Sequence, residues 1–265
     1  MDKTALLRTG RNWDHLGQID PMWAILTDPS KFGGRWSQDE FFAFGLSEID
    51  DLMCRLGRLD SSIGHARALD FGSGIGRLSR ALCHYYERVD GVDVAPSMIE
   101  AADKHNPFPE RCAFHLNVAA DLSLFADDTF DLIYSNIVLQ HIPPRLSKRY
   151  LREFERCCKP GGLIVFQLPH VRLMNYPSLK RYVLHGVYRL LPKRLITWYR
   201  RRKHAALPQT IVEQLPKIPM AMHSIRRQKV EALLRRSTLL SLKDTLDNRR
   251  DPFVSYMYVF RKRAH

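Results

Sequence analysis

The stretch Ala-Leu-Asp-Phe-Gly-Ser-Gly-Ile-Gly, at residues 68–76, decides the fold. Its apolar start is typical of a buried strand, and its glycines are typical of a tight turn that opens a helix. Residues without a Cβ let a backbone pass close to a bound nucleotide, so this turn predicts the floor of a cofactor site. A second acid, Asp93, ends the next strand-like run, where a carboxylate can accept hydrogen bonds from ribose hydroxyls.

The spacing of the glycines separates two kinds of nucleotide site. Dinucleotide-binding turns have the spacing G-x-G-x-x-G, and the following helix N-terminus holds a pyrophosphate. Here Gly72, Gly74 and Gly76 follow the pattern G-x-G-x-G, and Asp70 stands where a carboxylate would repel phosphate. The same carboxylate suits a cationic ligand, such as a sulfonium compound with an amino group.

From Ala66 onward, strand-like and helix-like segments alternate, which predicts a parallel sheet with crossover helices. The predicted strands are 66–71, 88–94, 112–117, 130–135 and 162–168. The predicted helices are 46–59, 75–86, one that starts near Pro96, 144–158 and 226–236. Ligands of such sheets lie beyond the C-terminal ends of the strands, so the turns that carry Gly72 and Asp93 should meet.

The glycine turn resembles the first motif of class I S-adenosylmethionine-dependent methyltransferases. Three later segments extend the resemblance: Gly-Val-Asp-Val-Ala-Pro-Ser-Met-Ile at 91–99, Asp-Asp-Thr-Phe-Asp-Leu-Ile-Tyr-Ser at 127–135 and Lys-Pro-Gly-Gly-Leu-Ile-Val-Phe at 159–166. The resemblance implies an α/β fold with a doubly wound, Rossmann-like sheet of seven mostly parallel strands. It also implies an antiparallel C-terminal hairpin, and an apolar helical stripe after strand five predicts a helical insert there. The implied cofactor is S-adenosyl-L-methionine, with S-adenosyl-L-homocysteine as its product.

The resemblance places one end of the cofactor on the first two strands. Asp93 would accept hydrogen bonds from the ribose, and the alternative is that it only caps the following helix. Asp70 would help to orient the methionine part of the cofactor, and Gly72 and Gly74 would let the main chain lie beneath it.

The adenine end is expected further along the sheet. Val94 and Met98 would pack on the adenine or the ribose, and a purely structural core role is the alternative for both. After strand three, Asn117 and Asp121 compete for the adenine edge. We favour Asn117 because a strand-end amide can both donate to adenine and accept from it.

The turn after strand four, which in this chain begins with Ser135 and Asn136, would lie beside the methionyl end of the cofactor. It lacks the Pro-containing motifs of enzymes that methylate nucleobases. His141 is the candidate catalytic base, because an ordinary histidine pKa near 6.5 lets it take a proton from a hydroxyl at neutral pH. His170, just past strand five, is its rival, and a loop histidine without a catalytic role is the alternative for each.

The chain outside the motifs divides into an arm and an insert. Residues 1–45 are expected to form an N-terminal arm or lid, in which Trp23 and Trp36 either cover the cofactor or anchor the arm. Residues 46–265 are expected to form one methyltransferase domain, in which 170–223 is a basic helical insert that caps the acceptor.

The net charge of +13 comes from the C-terminal part of the chain. Residues 1–155 carry 17 basic and 23 acidic side chains, whereas 156–212 carry 12 basic and no acidic ones. Within the insert, 178–204 combines an apolar helical stripe with Lys and Arg. Three interpretations stay open: helices that cover the acceptor, a helix at an anionic membrane surface, and a face for RNA.

The bulk composition indicates a protein of the cytoplasm, and the basic stretch 178–204 would allow a peripheral position at the inner membrane face. No run of about 18 apolar residues exists, and the N-terminus lacks the layout of a secretory signal. The five cysteines show no spacing for zinc, so no metal is expected.

These observations predict O-methylation of a small-molecule, glycan or lipid-linked acceptor, with nucleic acid as a less favoured partner. The alternatives are an RNA methyltransferase that uses the basic C-terminal third, and a scaffold that binds S-adenosylmethionine without catalysis.

Overall fold

The fold is built on one mixed sheet with helices on both faces. The computed structural model describes residues 2–59, 62–172, 221–235, 239–250 and 253–263. The strands are β1 (Arg67–Phe71), β2 (Arg88–Asp93), β3 (Cys112–Leu116), β4 (Phe130–Ser135), β5 (Cys158–Arg172), β6 (Leu239–Arg250) and β7 (Phe253–Lys262). The α-helices are α1 (Asp2–Ile19), α2 (Pro21–Ile25), α3 (Gln38–Leu59), α4 (Arg77–Leu82), α5 (Pro96–Lys104), α6 (Pro144–Cys157) and α7 (Arg227–Arg235). Short 3-10 helices span Pro29–Lys31 and Leu139–His141.

The strand order is β3-β2-β1-β4-β5-β7-β6. The pairs from β3 to β5 are parallel, and β7 runs antiparallel to both of its neighbours, β5 and β6. The predicted doubly wound, mostly parallel α/β sheet with an antiparallel C-terminal pair is therefore confirmed. The strand order reverses between β1 and β4, which is where such sheets bind ligands.

Apolar side chains from the helices cover both faces of the sheet. On one face, Tyr150 and Phe154 of α6 and Val230 of α7 belong to the same buried cluster as Phe166 and Tyr258. On the other face, α3 and α4 pack on the sheet through residues such as Ile49, Leu56 and Leu82. The C-terminal ends of the central strands are left open between these layers, and α1 covers them.

Helix α3 begins eight residues before the predicted start at 46. Its buried positions include Phe41, Gly45, Ile49 and Leu56, which continue one helical stripe back to the first turn. The sequence does not indicate that the helix starts at Gln38, because phenylalanines lie on several sides of the helix and Gly45 interrupts its apolar face. The expected boundary of the N-terminal arm at residue 45 thus falls inside a continuous helix.

Strand β5 is longer than the predicted strand 162–168, and its first residue follows α6 directly. Cys158 pairs with Phe130, the register then shifts, and Leu163 pairs with Leu132. The segment 159–162, which follows the predicted helix 144–158, forms this irregularity, and Gly161 within it has a left-handed φ of 82°.

The predicted insert at 170–223, with its basic stretch 178–204, lies almost entirely outside the described residues. Within the described ranges, no helix combines the length and apolarity needed to cross a bilayer.

Candidate functional site

The glycine turn after β1 has the left-handed backbone that its sequence predicts. Gly72, Gly74 and Gly76 have φ angles of 81°, 53° and 80°. The backbone N–H of Gly72 donates to the carbonyl of Val92 at 2.7 Å, so the turn is fastened to β2. A Cβ at Gly72 would overlap the side chain of Val138, which reaches over from the turn after β4. Only glycine fits this position, for reasons of both conformation and space.

Asp93 joins the glycine turn to the end of β2. One carboxylate oxygen accepts from the Gly74 N–H at 2.9 Å, and the other accepts from the N–H groups of Val94 at 2.7 Å and Ala95 at 3.0 Å. Helix α5 begins only at Pro96, so the carboxylate does not cap the first turn of that helix. Burial raises the pKa of Asp93, while the three backbone donors oppose the shift. Because a carboxylate has about four acceptor positions, one remains for a ligand.

A cavity of about 110 Å³ opens beside this carboxylate, at the C-terminal ends of the central strands. The predicted site residues that line it are Gly72, Gly74, Asp93, Val94, Met98, Asn117 and His141. The structure therefore brings together, in one concave site, residues from four separate turns.

Three predicted site residues lie outside the lining of this cavity. Asp70 is 1% exposed and accepts from the Ser79 hydroxyl at 2.6 Å, and its burial raises its pKa to about 6. The Ser135 hydroxyl is buried and donates to the Phe71 carbonyl at 3.1 Å. His170 accepts from the backbone N–H of Arg227 through its Nδ1 at 2.6 Å.

At the end of β3, Asn117 rather than Asp121 lines the cavity. The Asn117 amide donates to the Asp121 carbonyl at 2.7 Å and accepts from the Ala119 N–H at 2.9 Å. The Asp121 carboxylate faces away and pairs with Arg149 at 2.7 Å. Asn117 thus lies at the cavity and Asp121 does not, and the contact of Asn117 with adenine stays a prediction.

The sequence did not point to Glu48, a residue of α3 that organises the far end of the cavity. Its carboxylate accepts from Arg77 at 2.9 Å, from the Tyr134 hydroxyl at 3.0 Å and from the Asn136 amide at 2.5 Å. Arg77 and Asn136 also line the cavity. The Nε of Arg77 and the Oδ1 of Asn136 are buried without a hydrogen-bond partner in the described part of the chain. Each of these two lining residues therefore keeps one polar atom that no described group satisfies.

The turn after β4 has a strained backbone. Ile137 has a φ of 63°, which is unfavourable for a β-branched residue and costs about 1–3 kcal/mol. This conformation lies between Asn136 and Val138, both of which contact the cavity. The fold therefore maintains a strained turn at the place where the strand order reverses.

His141 follows this turn, and each of its ring nitrogens has a partner. Nδ1 lies 3.2 Å from the Ala221 carbonyl, and Nε2 lies 3.1 Å from the side-chain nitrogen of Gln140. A carbonyl only accepts, so Nδ1 carries the proton and Nε2 holds the lone pair. Burial lowers the pKa of His141; the Ala221 hydrogen bond opposes this, and His223 lowers the pKa further. The imidazole is therefore neutral at neutral pH.

A second chamber, of about 320 Å³, adjoins the cavity. Both spaces are lined by Thr9 and Trp13 of α1 and by His141. The indole of Trp13 meets the His141 ring edge-on, with centroids 5.2 Å apart. Trp23 and Trp36, expected either to cover the cofactor or to anchor the arm, donate their indole N–H groups to nearby backbone carbonyls.

The geometry agrees with a comparison to known families. A family model described as a methyltransferase domain matches residues 69–166. This segment is a methyltransferase domain. The resemblance to class I S-adenosylmethionine-dependent methyltransferases is thus confirmed, and S-adenosylmethionine is the cofactor that this family uses.

Individual relatives of the methyltransferase domain differ in what they methylate. Malonyl-[acyl-carrier protein] O-methyltransferase of Halorhodospira halophila is 35% identical over 104 residues, 38% of this chain and 34% of that protein. Sterol 4-C-methyltransferase of Caenorhabditis elegans is 30% identical over 173 residues, 61% of this chain and 49% of that protein. The chain thus spans about a third to a half of the length of these curated relatives.

A solved structure shows a similar fold. Magnesium protoporphyrin IX methyltransferase from Synechocystis PCC 6803, crystallised with bound SAH, superposes with a TM-score of 0.61 at 14% identity. The match covers 99% of this chain and 100% of that one. At this identity the comparison establishes the fold around the methyltransferase domain, and it leaves the substrate open.

Proposed function

We propose that this chain transfers a methyl group from S-adenosylmethionine to a hydroxyl group of a small-molecule acceptor. The observation that carries the proposal is the cavity at the strand ends, in which the Asp93 carboxylate, the glycine turn and His141 all take part. It supports both a site for the methyl donor and a base for the acceptor.

The residues of the cavity fit the parts of S-adenosylmethionine. The remaining acceptor position of Asp93 would take a ribose hydroxyl, while Val94, Met98 and Asn117 would surround the adenine. The methionyl end carries an ammonium and a carboxylate. These match the two buried atoms without partners, because Asn136 Oδ1 accepts from an ammonium and Arg77 Nε donates to a carboxylate.

The second chamber would hold the acceptor, because it meets the first cavity at His141. The cofactor supplies an electrophilic methyl group. The acceptor hydroxyl oxygen would take this methyl group in a new C–O bond, and the methyl donor would leave as a neutral thioether. The hydroxyl proton passes to Nε2 of His141, the ring nitrogen that holds a lone pair.

O-methylation is favoured over other transfers by this histidine. A neutral imidazole beside the chamber suits a hydroxyl acceptor, which is a weak nucleophile until it loses its proton. Small-molecule, glycan and lipid-linked hydroxyls all remain candidates, and the relatives, one named an O-methyltransferase and one a sterol 4-C-methyltransferase, do not separate them. Docking of 178–204 at an anionic membrane, and an RNA acceptor, stay predictions.

The role of Asp93 is tested by isothermal titration with S-adenosylhomocysteine. A hydrogen bond to a charged group contributes about 1.5–3 kcal/mol, so Asp93→Ala should weaken binding by roughly ten-fold to a hundred-fold or more. Asp103→Ala, at an exposed position of α5, is the matched control and should bind like the parent. A thermal melt of each variant shows whether it folds. Unchanged affinity in a folded Asp93→Ala variant would remove this carboxylate from the cofactor site.

Catalysis is tested by incubating the chain with methyl-labelled S-adenosylmethionine and fractionated cell extract. Label in the small-molecule, glycan or lipid fraction supports the proposal, and label confined to RNA supports the RNA alternative. If a folded chain binds the cofactor yet labels no fraction, the scaffold alternative is favoured.

A further inference from the structure

The second chamber is built on one face of α1. Ala5, Arg8, Thr9, Asn12 and Trp13 line it, and their spacing places them along a single stripe of that helix. The opposite wall comes from the segment after β4 and from residues 221–223. At about 320 Å³ the chamber falls within the range of roughly 300–1,000 Å³ that is usual for small-molecule sites.

The described lining of this chamber contains basic groups and no carboxylate. Arg8 is its permanent cation, and it forms no ion pair within the described ranges. Burial lowers the pKa of His141 and of His223, so both rings are neutral at neutral pH. The chamber therefore offers one positive charge, together with neutral hydrogen-bonding groups.

Two of the remaining lining residues are flat and apolar. Trp13 lies at the boundary with the cofactor cavity, and Pro143 lies at the start of α6. Surfaces of this kind pack well against planar rings. The ring of an acceptor held there would have His141 at one end and the exposed Arg8 at the mouth.

We propose that this chamber binds a planar hydroxy acid, with its anionic group at Arg8 and the hydroxyl to be methylated at His141. This inference rests on the proposed function and narrows its acceptor class. Amine acceptors are disfavoured, because an ammonium would meet Arg8 and would find no carboxylate in the described lining.

The test compares two probes that differ in charge, 4-hydroxybenzoate and its neutral analogue 4-hydroxybenzamide. Affinities are measured by isothermal titration with the cofactor site saturated with S-adenosylhomocysteine. An exposed ion pair contributes up to about 1 kcal/mol, so the parent should prefer the acid by about five-fold. The preference should shrink at 0.5 M salt, since the mouth of the chamber is open to solvent.

The matched variants are Arg8→Gln and Arg11→Gln. Both arginines are exposed on α1, but only Arg8 lines the chamber. Arg8→Gln should abolish the preference for the acid, and Arg11→Gln should retain it. Equal affinity of the parent for both probes, equal loss in both variants, or no binding of either probe would overturn the inference.

The chemical identity of the product shows which oxygen of the acceptor is methylated. Turnover of 4-hydroxybenzoate should give the methyl ether, and formation of the methyl ester would place the carboxylate at the cofactor and contradict the proposed orientation. Failure to bind S-adenosylhomocysteine at all would instead count against the proposed function, so the two failures are distinguishable.

Discussion

Gln140 controls access to the lone pair of His141. Its amide nitrogen lies 3.1 Å from Nε2, and its Oε1 lies 3.5 Å from the Gln167 amide nitrogen. An acceptor hydroxyl must displace this donor before it can pass a proton to the ring. Once Nε2 is protonated, the amide must rotate and present its oxygen instead. Gln140 is therefore a positioning residue for the proposed base.

The substitution Gln140→Glu tests this arrangement without a large change of volume. A carboxylate next to Nε2 stabilises the imidazolium, so the pKa of His141 should rise by about one unit or more. Because the base works only in its neutral form, the acidic limb of the profile of kcat/KM against pH should move upward by a similar amount. NMR titration of the imidazole signals measures the pKa directly.

The exposed His84 provides an internal reference in the same NMR experiment, because the substitution should leave its signals unchanged. If the pKa of His141 rises while the pH profile stays in place, no histidine base operates at this position.

The site could be predicted where its residues follow the strands directly. Asp93, Asn117 and the glycine turn occupy strand ends, and parallel strands bring their C-terminal ends to one edge. Glu48 and Trp13 could not be predicted in this way. They reach the site from helices that precede the first motif, and no local pattern fixes where such a helix packs.

At the scale of elements, α3 and α4 are held close together by a glycine. A Cβ at Gly45 would lie 2.5 Å from the Arg77 carbonyl oxygen, whereas a Cβ at Gly57, in the same helix, would meet nothing within 4 Å. Both glycines lower helix propensity relative to alanine, by up to about 1 kcal/mol. Packing therefore decides whether each substitution by alanine stabilises or destabilises the folded protein.

We expect Gly57→Ala to raise the free energy of unfolding by about 0.5–1 kcal/mol. Gly45→Ala should lower it, because overpacking costs about 1–3 kcal/mol and exceeds the gain in propensity. It should also weaken cofactor binding, since Arg77 lines the cavity. Urea unfolding and titration with S-adenosylhomocysteine measure the two effects. Stabilisation by both substitutions would show that α3 can move away from α4 at little cost.

The elements themselves were predictable to different degrees. Strands β1 to β4 match their predicted bounds within one residue, because short buried runs between turn residues have few alternative structures. The start of α3 and the irregularity in β5 did not follow from the sequence, because each depends on what the segment packs against. Cys158 joins the sheet through its partner Phe130, which lies far away in sequence.

At the scale of the whole molecule, the first helix and the segment before α7 converge on the proposed acceptor chamber. Ala5 and Arg8 come from the first helix, and Ala221 and His223 come from the segment before α7. The division into an arm at 1–45 and a domain at 46–265 stays a prediction. A chamber assembled from such distant segments has no signature in any one of them.

The stability of the whole fold should depend on pH through Asp70, the buried carboxyl below the glycine turn. Burial raises its pKa from 3.8 to about 6, although the Ser79 hydroxyl and Arg77 oppose the shift. The folded state therefore retains the Asp70 proton in a range where the unfolded chain has lost it. The protonated Asp70 therefore contributes to the stability of the folded state. That contribution is complete below about pH 4 and is lost as the pH rises through about 6.

Asp70→Asn removes this titration and keeps the shape of the side chain. As the pH rises from 4 to 7, the unfolding free energy of the variant should increase relative to that of the parent by up to about 3 kcal/mol. The difference between the two proteins is the useful quantity, because other carboxyls act in the opposite direction. Burial raises the pKa of Asp90, but hydrogen bonds from His115 and Arg67 outweigh it and leave that pKa lowered.

Asp51→Asn, at an exposed position of α3, is the control and should show no such trend in urea unfolding. A constant difference between parent and Asp70→Asn across this pH range would mean that Asp70 is ionised in the folded protein throughout. The carboxylate below the glycine turn would then be available as a charge to a cationic ligand even without one bound.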